Sequence, residues 1–154
     1  MNFLRYLTLS CLLTLAFTCE VMAKPVKPAH VYMFGFSASF TDSTIYVTDI
    51  QDVQGAWIDS KTKFLLGRDN YSYQLKEYFT TNMQQPNRIC MVFFATNKRK
   101  AEKAMKKLMK KYVPDTKKKK KGKKQTWRPY EVNYLTAADF QFEAIDMSDE
   151  QDKK

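Results

Sequence analysis

One histidine and three cysteines occur among 154 residues, so the side chains able to attack a carbonyl or move a proton are few enough to take singly. Cys90 lies inside an unbroken apolar run (ICMVFF, residues 89–94), where a thiol packs as a small hydrophobe. A nucleophilic thiol wants an electropositive, partly exposed site with a base, and His30 is the sole imidazole available. His30 itself stands at the mouth of the first apolar run, next to a proline-containing stretch, the place of a surface or capping histidine. A hydrolytic carboxylate pair would draw on Asp49, Asp52, Asp59 and Asp69, yet strict strand alternation sends Asp49 and Asp52 to opposite faces. These acids read as solvent-facing positions and, at Asp69, a helix cap. No GxSxG, P-loop, GxGxxG, HExxH or CxxC motif occurs, which leaves no metal or cofactor to expect and points away from an enzyme.

Charge is where the chain concentrates its chemistry. Residues 98–124 carry 15 Lys and Arg against Glu102 and Asp115, a balance of +13, while the remainder carries 11 basic and 14 acidic residues, or −3. Lys103, Lys106, Lys107, Lys110 and Lys111 recur at helical spacing and predict one basic helix face. Lys117, Lys118, Lys119, Lys120, Lys121, Lys123 and Lys124 follow with Gly122 as a run that repels itself and buries no apolar surface, hence a solvated loop, with Arg128 just beyond. These side chains form the candidate anion-binding set. Lysines without interleaved aromatics, Trp127 apart, attract phosphate backbones without reading bases, which argues against nucleic acid and for an anionic polymer or lipid headgroup. Asp139, Glu143, Asp146, Asp149, Glu150 and Asp152 make an acidic C-terminal stretch able to compete for the same lysines.

The elements that must position these groups follow a leader. Arg5, the apolar residues 7–17 and Val21-Met22-Ala23 read as a signal peptide over 1–23, cut before Lys24, giving an exported chain, periplasmic or secreted. A lipidated Cys19 is the rival reading, for which Ala16-Phe17-Thr18 is a poor lipobox. Cleavage removes Cys11 and Cys19 and leaves Cys90 alone, so no intrachain disulfide forms. An extended linker over 24–29 leads to a single domain over 30–145, with a Lys-rich loop at 114–128, and an acidic flexible tail over 146–154 ends the chain. No later apolar run reaches the length of a membrane span.

Within the domain, residues 30–40 and 44–53 predict an antiparallel hairpin in which Tyr32, Phe34, Phe36 and Phe40 share a core face. Residues 56–66 suggest a second, shorter hairpin or a loop. Tyr71, Leu75, Tyr78 and Phe79 predict an amphipathic helix opening at Asp69 or Asn70 and ending before Pro86. Residues 88–95 show no alternation, which predicts a central strand buried on both faces. Thr96 or Asn97 caps a helix to about Tyr112, with Ala101, Ala104, Met105, Leu108, Met109 and Tyr112 inward. Residues 130–135 alternate like a half-exposed strand, and Phe140 to Phe142 suggest an edge piece. The fold expected is α+β, a two-layer sandwich whose mixed sheet runs β-β-α-β-α-β with both helices on one face.

Residues 88–112 (RICMVFFATNKRKAEKAMKKLMKKY), a buried strand and an Ala/Lys-rich helix bearing Ala101-Glu102, resemble the second half of a sporulation-related repeat. Ala95-Thr96-Asn97 stand where that repeat carries its glycine-bearing strand end. The resemblance implies binding of peptidoglycan glycan strands, here through the sheet face. The whole chain is also similar to small exported proteins of Gram-negative bacteria. The sequence therefore points to an exported, non-catalytic binding or accessory module that contacts anionic envelope components through the basic helix face and lysine loop. The glycan binder and a small hydrolase are its alternatives, and the oligomeric state is open.

Overall fold

The computed structural model describes residues 24–113 and 130–148. Its elements are β1 (Pro25–Val26), β2 (Tyr32–Ala38), β3 (Thr44–Thr48), β4 (Gln51–Asp52), β5 (Ile58–Asp59), α1 (Arg68–Thr81), β6 (Ile89–Ala95), α2 (Lys98–Met109) and β7 (Glu131–Leu135). Residues 1–23, where a leader is expected, the lysine run with Arg128, and residues 149–154 lie outside the described residues. The α+β class and the mixed sheet are as expected.

β2 is the centre of the main sheet. Phe36 faces Val47 on β3, whereas Met33 faces Gln51 on β4. Three steps along β2 thus match four along its partner, and the surplus residue makes a bulge around Asp49 and Ile50. Thr48 closes the gap: its Oγ1 accepts the Gly35 N–H at 2.8 Å and donates to the Asp49 carbonyl at 2.9 Å. β7 adds in parallel to β3, and β6 pairs antiparallel with β2 along its whole length.

Two expectations are corrected here. β6 is an edge strand, pairing with β2 alone, and Ile89 and Met91 are 46% and 40% exposed. Apolar residues at consecutive positions report helices above and below a strand; they carry no information about its lateral neighbours. Its open edge is partly occupied by Arg68, whose Nε and Nη2 donate to the Val92 carbonyl at 3.2 and 3.1 Å. Second, the helices lie on opposite faces, so the domain has three layers. Tyr71, Leu75 and Phe79 of α1 pack with Met33 and Val92, whereas Met105, Leu108 and Met109 of α2 pack on Phe34, Phe36, Ile45 and Val47. The chain crosses from β3 over β2 to β6 through α1, then returns through α2 to β7 on the far side of β3. Two right-handed crossovers running in opposite directions must use opposite faces.

The remaining differences are local. α1 opens on Gly67 at φ 65°, a left-handed conformation suited to glycine, and Asp69 sits in its first turn without capping it. The segment read as a linker is extended but paired, Val26 with Ile58 and Pro25 with Asp59. Phe140 and Phe142 form no strand; they are buried against the α1 side. This strap is held by side chains in place of a backbone ladder. The Gln51 amide donates to the Phe140 carbonyl and accepts the Phe142 N–H, both at 2.8 Å, and Gln74 repeats the clamp on Glu143 at 3.0 Å. Tyr71 Oη accepts the Ile145 N–H at 3.0 Å, and Met147, assigned to the flexible tail, is buried.

Candidate functional site

α2 begins where Asn97, in extended conformation, turns its side chain onto the Arg99 N–H at 2.9 Å and so satisfies one of the helix's free donors. Helical periodicity then turns Ala101, Met105, Leu108 and Met109 to the sheet, with Ala101 fully buried and the others half-buried. Ala104, expected in that stripe, stays exposed. The outer face presents Lys98, Arg99, Lys100, Lys103, Lys106 and Lys107, continued by Lys110 and Lys111 in the turn beyond, all exposed. Five of the sequence-predicted residues, Lys103, Lys106, Lys107, Lys110 and Lys111, are therefore brought onto one surface. Lys117, Lys118, Lys119, Lys120, Lys121, Lys123, Lys124 and Arg128 fall outside the described residues; the chain carrying them leaves at Val113 and re-enters at Tyr130.

Among the described residues the carboxylates in charged or imidazole contacts are Asp42, with Arg88, and Asp52, with His30, so no carboxylate pairs with a cation of α2 there. The 12 residues of the helix make a strip about 18 Å long. Its first turn holds no acid. Three cations stand there instead, where the helix dipole already presents partial positive charge, an arrangement that raises the local potential at the helix's own expense.

A second region surrounds the bulge. An open cleft of about 690 Å³ is bordered by Asp49, Gln51, Asp52, Met105, Tyr134 and Phe142. Strict alternation, which separates Asp49 from Asp52, does not hold here: Val47 faces Phe36 and Asp52 faces Tyr32, so the extra residue shifts the strand's parity, and both acids border the cleft along with the rest of residues 48–53. His30 Nδ1 lies 2.7 Å from Asp52 Oδ2, and its ring stacks with Tyr32 at 5.9 Å. Sequence reasoning missed this pair. Hairpin register carried the signal, since Tyr32 faces Asp52 and His30 is its same-face neighbour on the chain.

The other candidates resolve into structural roles. Cys90 is half-buried, its thiol directed at Ser37 Oγ at 3.6 Å, and burial pushes it above the ordinary thiol range, against smaller opposing effects of that hydrogen bond and of Arg88 and Lys76. Asp59 Oδ1 accepts the N–H groups of Lys61 and Thr62 at 2.8 and 2.6 Å, closing a tight turn. Phe34 and Phe36 are buried beneath α2, while Phe40 lies beyond the strand end and is 93% exposed, a correction to the shared core face. A helix packs on each face of the sheet, α1 on one and α2 on the other. No protein-family model matches the chain, and neither do the curated proteins or the solved structures compared with it.

Proposed function

We propose that this chain is an exported, non-catalytic binding module that holds anionic envelope polymer or lipid headgroups on the outer face of α2. One observation carries the reading: eight exposed cations, from Lys98 to Lys111, share that surface with a single acid, Glu102, and have no ion-pair partner among the described residues. Lysine ammonium groups at this density bind phosphates and carboxylates as point charges, with little discrimination and strong salt dependence. The lysine run is joined by sequence to the end of this strip at Val113, and it extends the charge available to a polymer.

The test is titration with inorganic polyphosphate at two ionic strengths. Affinity is expected to fall roughly log-linearly with salt, and the variant K103Q/K106Q/K107Q/K110Q/K111Q is expected to bind at least tenfold more weakly with a shallower slope. Equal affinity in the variant would overturn the reading. Intact mass of the same preparation, made with export intact, is expected to begin at Lys24; a retained leader would remove the envelope from the proposal.

A second reading, a small hydrolase, is favoured by the His30–Asp52 pair at the cleft, since a carboxylate on Nδ1 orients an imidazole for base catalysis at Nε2. Hydrolysis of activated esters that disappears in His30→Asn would support it; turnover equal in both proteins would remove it.

A further inference from the structure

The basic strip ends among apolar side chains. Across the β2–β6 ladder Ala38 faces Ile89 and Phe36 faces Met91, and Phe36 belongs to the α2 side, so Ile89 and Met91 project to that side as well. The turn after α2 sets Tyr112 on Phe36 at 5.1 Å and Tyr130 edge-on to Tyr112 at 5.2 Å. Val113 and Tyr130 are exposed in and after that turn, and Ile89 and Met91 are exposed on the edge strand β6 at the same end of the sheet.

Phe40 completes the group from the β2–β3 turn, and that turn is firmly built. Ser39 Oγ and Thr41 Oγ1 bond each other at 2.7 Å, and Asp42 takes the Thr44 N–H at 2.8 Å and Arg88 Nη1 at 3.2 Å. Ser39, Thr41 and Asp42 each have a partner within the turn or its anchor, while the phenyl ring is left in water. Single exposed apolar residues are ordinary; a cluster at one end of a molecule, next to Lys106, Lys107, Lys110 and Lys111, is not.

We propose that this end docks on an anionic lipid bilayer, with Phe40, Ile89, Met91, Val113 and Tyr130 in the interfacial layer and the α2 lysines on the headgroups. The proposal rests on the anion-binding reading above and selects the bilayer among its partners. A soluble polyanion offers nothing to five apolar side chains, whereas a bilayer interface combines acyl chains for the apolar tips with negative headgroups for the flanking lysines. A second copy of the chain would set two strips of the same sign against each other, the charge arrangement least suited to association.

The experiment uses the chain as purified after export. Vesicles of equimolar phosphatidylglycerol and phosphatidylcholine, vesicles of phosphatidylcholine alone, and polyphosphate are compared as ligands. Phe40→Ser and the pair Phe40→Ser/Met91→Gln are expected to weaken anionic-vesicle binding roughly tenfold or more, from the apolar surface no longer buried, with polyphosphate affinity unchanged. In Phe40→Trp, emission is expected to shift to the blue on the mixed vesicles and to be quenched by brominated acyl chains. Vesicle binding unaffected by these substitutions, or bound Phe40→Trp protein without the shift, would overturn the docking proposal and leave the anion reading in place if polyphosphate still binds. Failure to bind either anion would remove that reading as well. A doubled mass in solution with the Phe40→Trp indole hidden from aqueous quencher would assign the cluster to self-association instead.

Discussion

At the scale of single residues, the most constrained side chain is Arg88, the one charged group in the described structure that is almost fully buried. Its Nε donates to Ser37 Oγ at 3.2 Å, Nη1 to Asp42 Oδ2 at 3.2 Å and Nη2 to the Thr44 carbonyl, while the guanidinium lies over the Tyr46 ring at 4.6 Å and the Phe79 ring at 5.6 Å. A planar fork with donors on three sides satisfies a strand hydroxyl, a turn carboxylate and a carbonyl at once, which lysine cannot do. Arg88→Met keeps the stem's packing but takes the guanidinium donor from the fully buried Ser37 hydroxyl, leaving it the weak Cys90 thiol, and strips the Thr44 carbonyl of its Nη2 donor, so a loss of about 2–3 kcal/mol in urea unfolding is expected. Asp42 is itself 42% exposed and can turn to water, so Asp42→Asn should cost under about 1 kcal/mol. Equal losses in the two variants would mean that the ion pair, rather than the burial of the guanidinium's other partners, is what matters. The anchoring of the Phe40 turn depends on the same contacts, which connects this residue to the proposed docking end.

At the scale of elements, α1 comes close to β2 at Gly35. A Cβ on Gly35 would stand 2.6 Å from Leu75 Cδ2, 3.2 Å from Thr48 Cγ2 and 3.3 Å from Phe142 Cζ. The helix, the bulge residue and the strap therefore all close on one missing side chain. Gly35→Ala is expected to destabilise by about 1–3 kcal/mol through overpacking, and Leu75→Ala by about 2–4 kcal/mol through the cavity it leaves. Because the new methyl group occupies space that the truncated leucine vacates, the double variant should be less destabilised than the two losses added, measured as a thermodynamic cycle. Strict additivity would place the steric conflict elsewhere. Helix positions were legible beforehand because Tyr71, Leu75 and Phe79, and likewise Met105, Leu108 and Met109, recur at a helix's period. The hairpin was legible from its β-branched and aromatic runs. Two features were not. Gly35 and the bulge interrupt strand alternation without announcing which residue is surplus, so Asp49 and Asp52 were assigned to different faces. The place of β6 at an edge and the split of the helices between two faces depend on the order of strands across the sheet, a non-local property that periodicity within each segment does not encode. The strap reads as an edge piece for a related reason: Phe140-Gln141-Phe142 alternates like a strand, but Gln51 and Gln74 hold it with side-chain amides in place of a ladder.

At the scale of the whole molecule, the sheet divides stability from charge. The α1 face carries the strap, the larger cluster and its aromatic contacts, while the α2 face carries a smaller cluster under the cationic strip. Helix electrostatics gives this division a sign that can be measured. Lys98, Arg99 and Lys100 stand at the positive end of the α2 dipole and oppose it, whereas Lys110 and Lys111 stand at the negative end and complement it. Asn97 is the N-cap, so Lys100 occupies the third helical position, where a glutamate would reach back to the Asn97 N–H. Lys100→Glu should therefore raise stability by about 1 kcal/mol, roughly 3–5 °C in melting temperature for a domain of this size. Lys110→Gln/Lys111→Gln should leave the melting temperature unchanged or slightly lower. Both substitutions should weaken polyphosphate binding, because each removes charge from the same strip. A surface kept for folding alone would show the opposite pattern at the first position, with Lys100→Glu neutral or destabilising and polyphosphate affinity unmoved. Gain of stability with loss of binding at the helix start, against loss of binding without that gain at its end, would identify the first-turn cations as retained for a ligand at a cost to the helix that carries them.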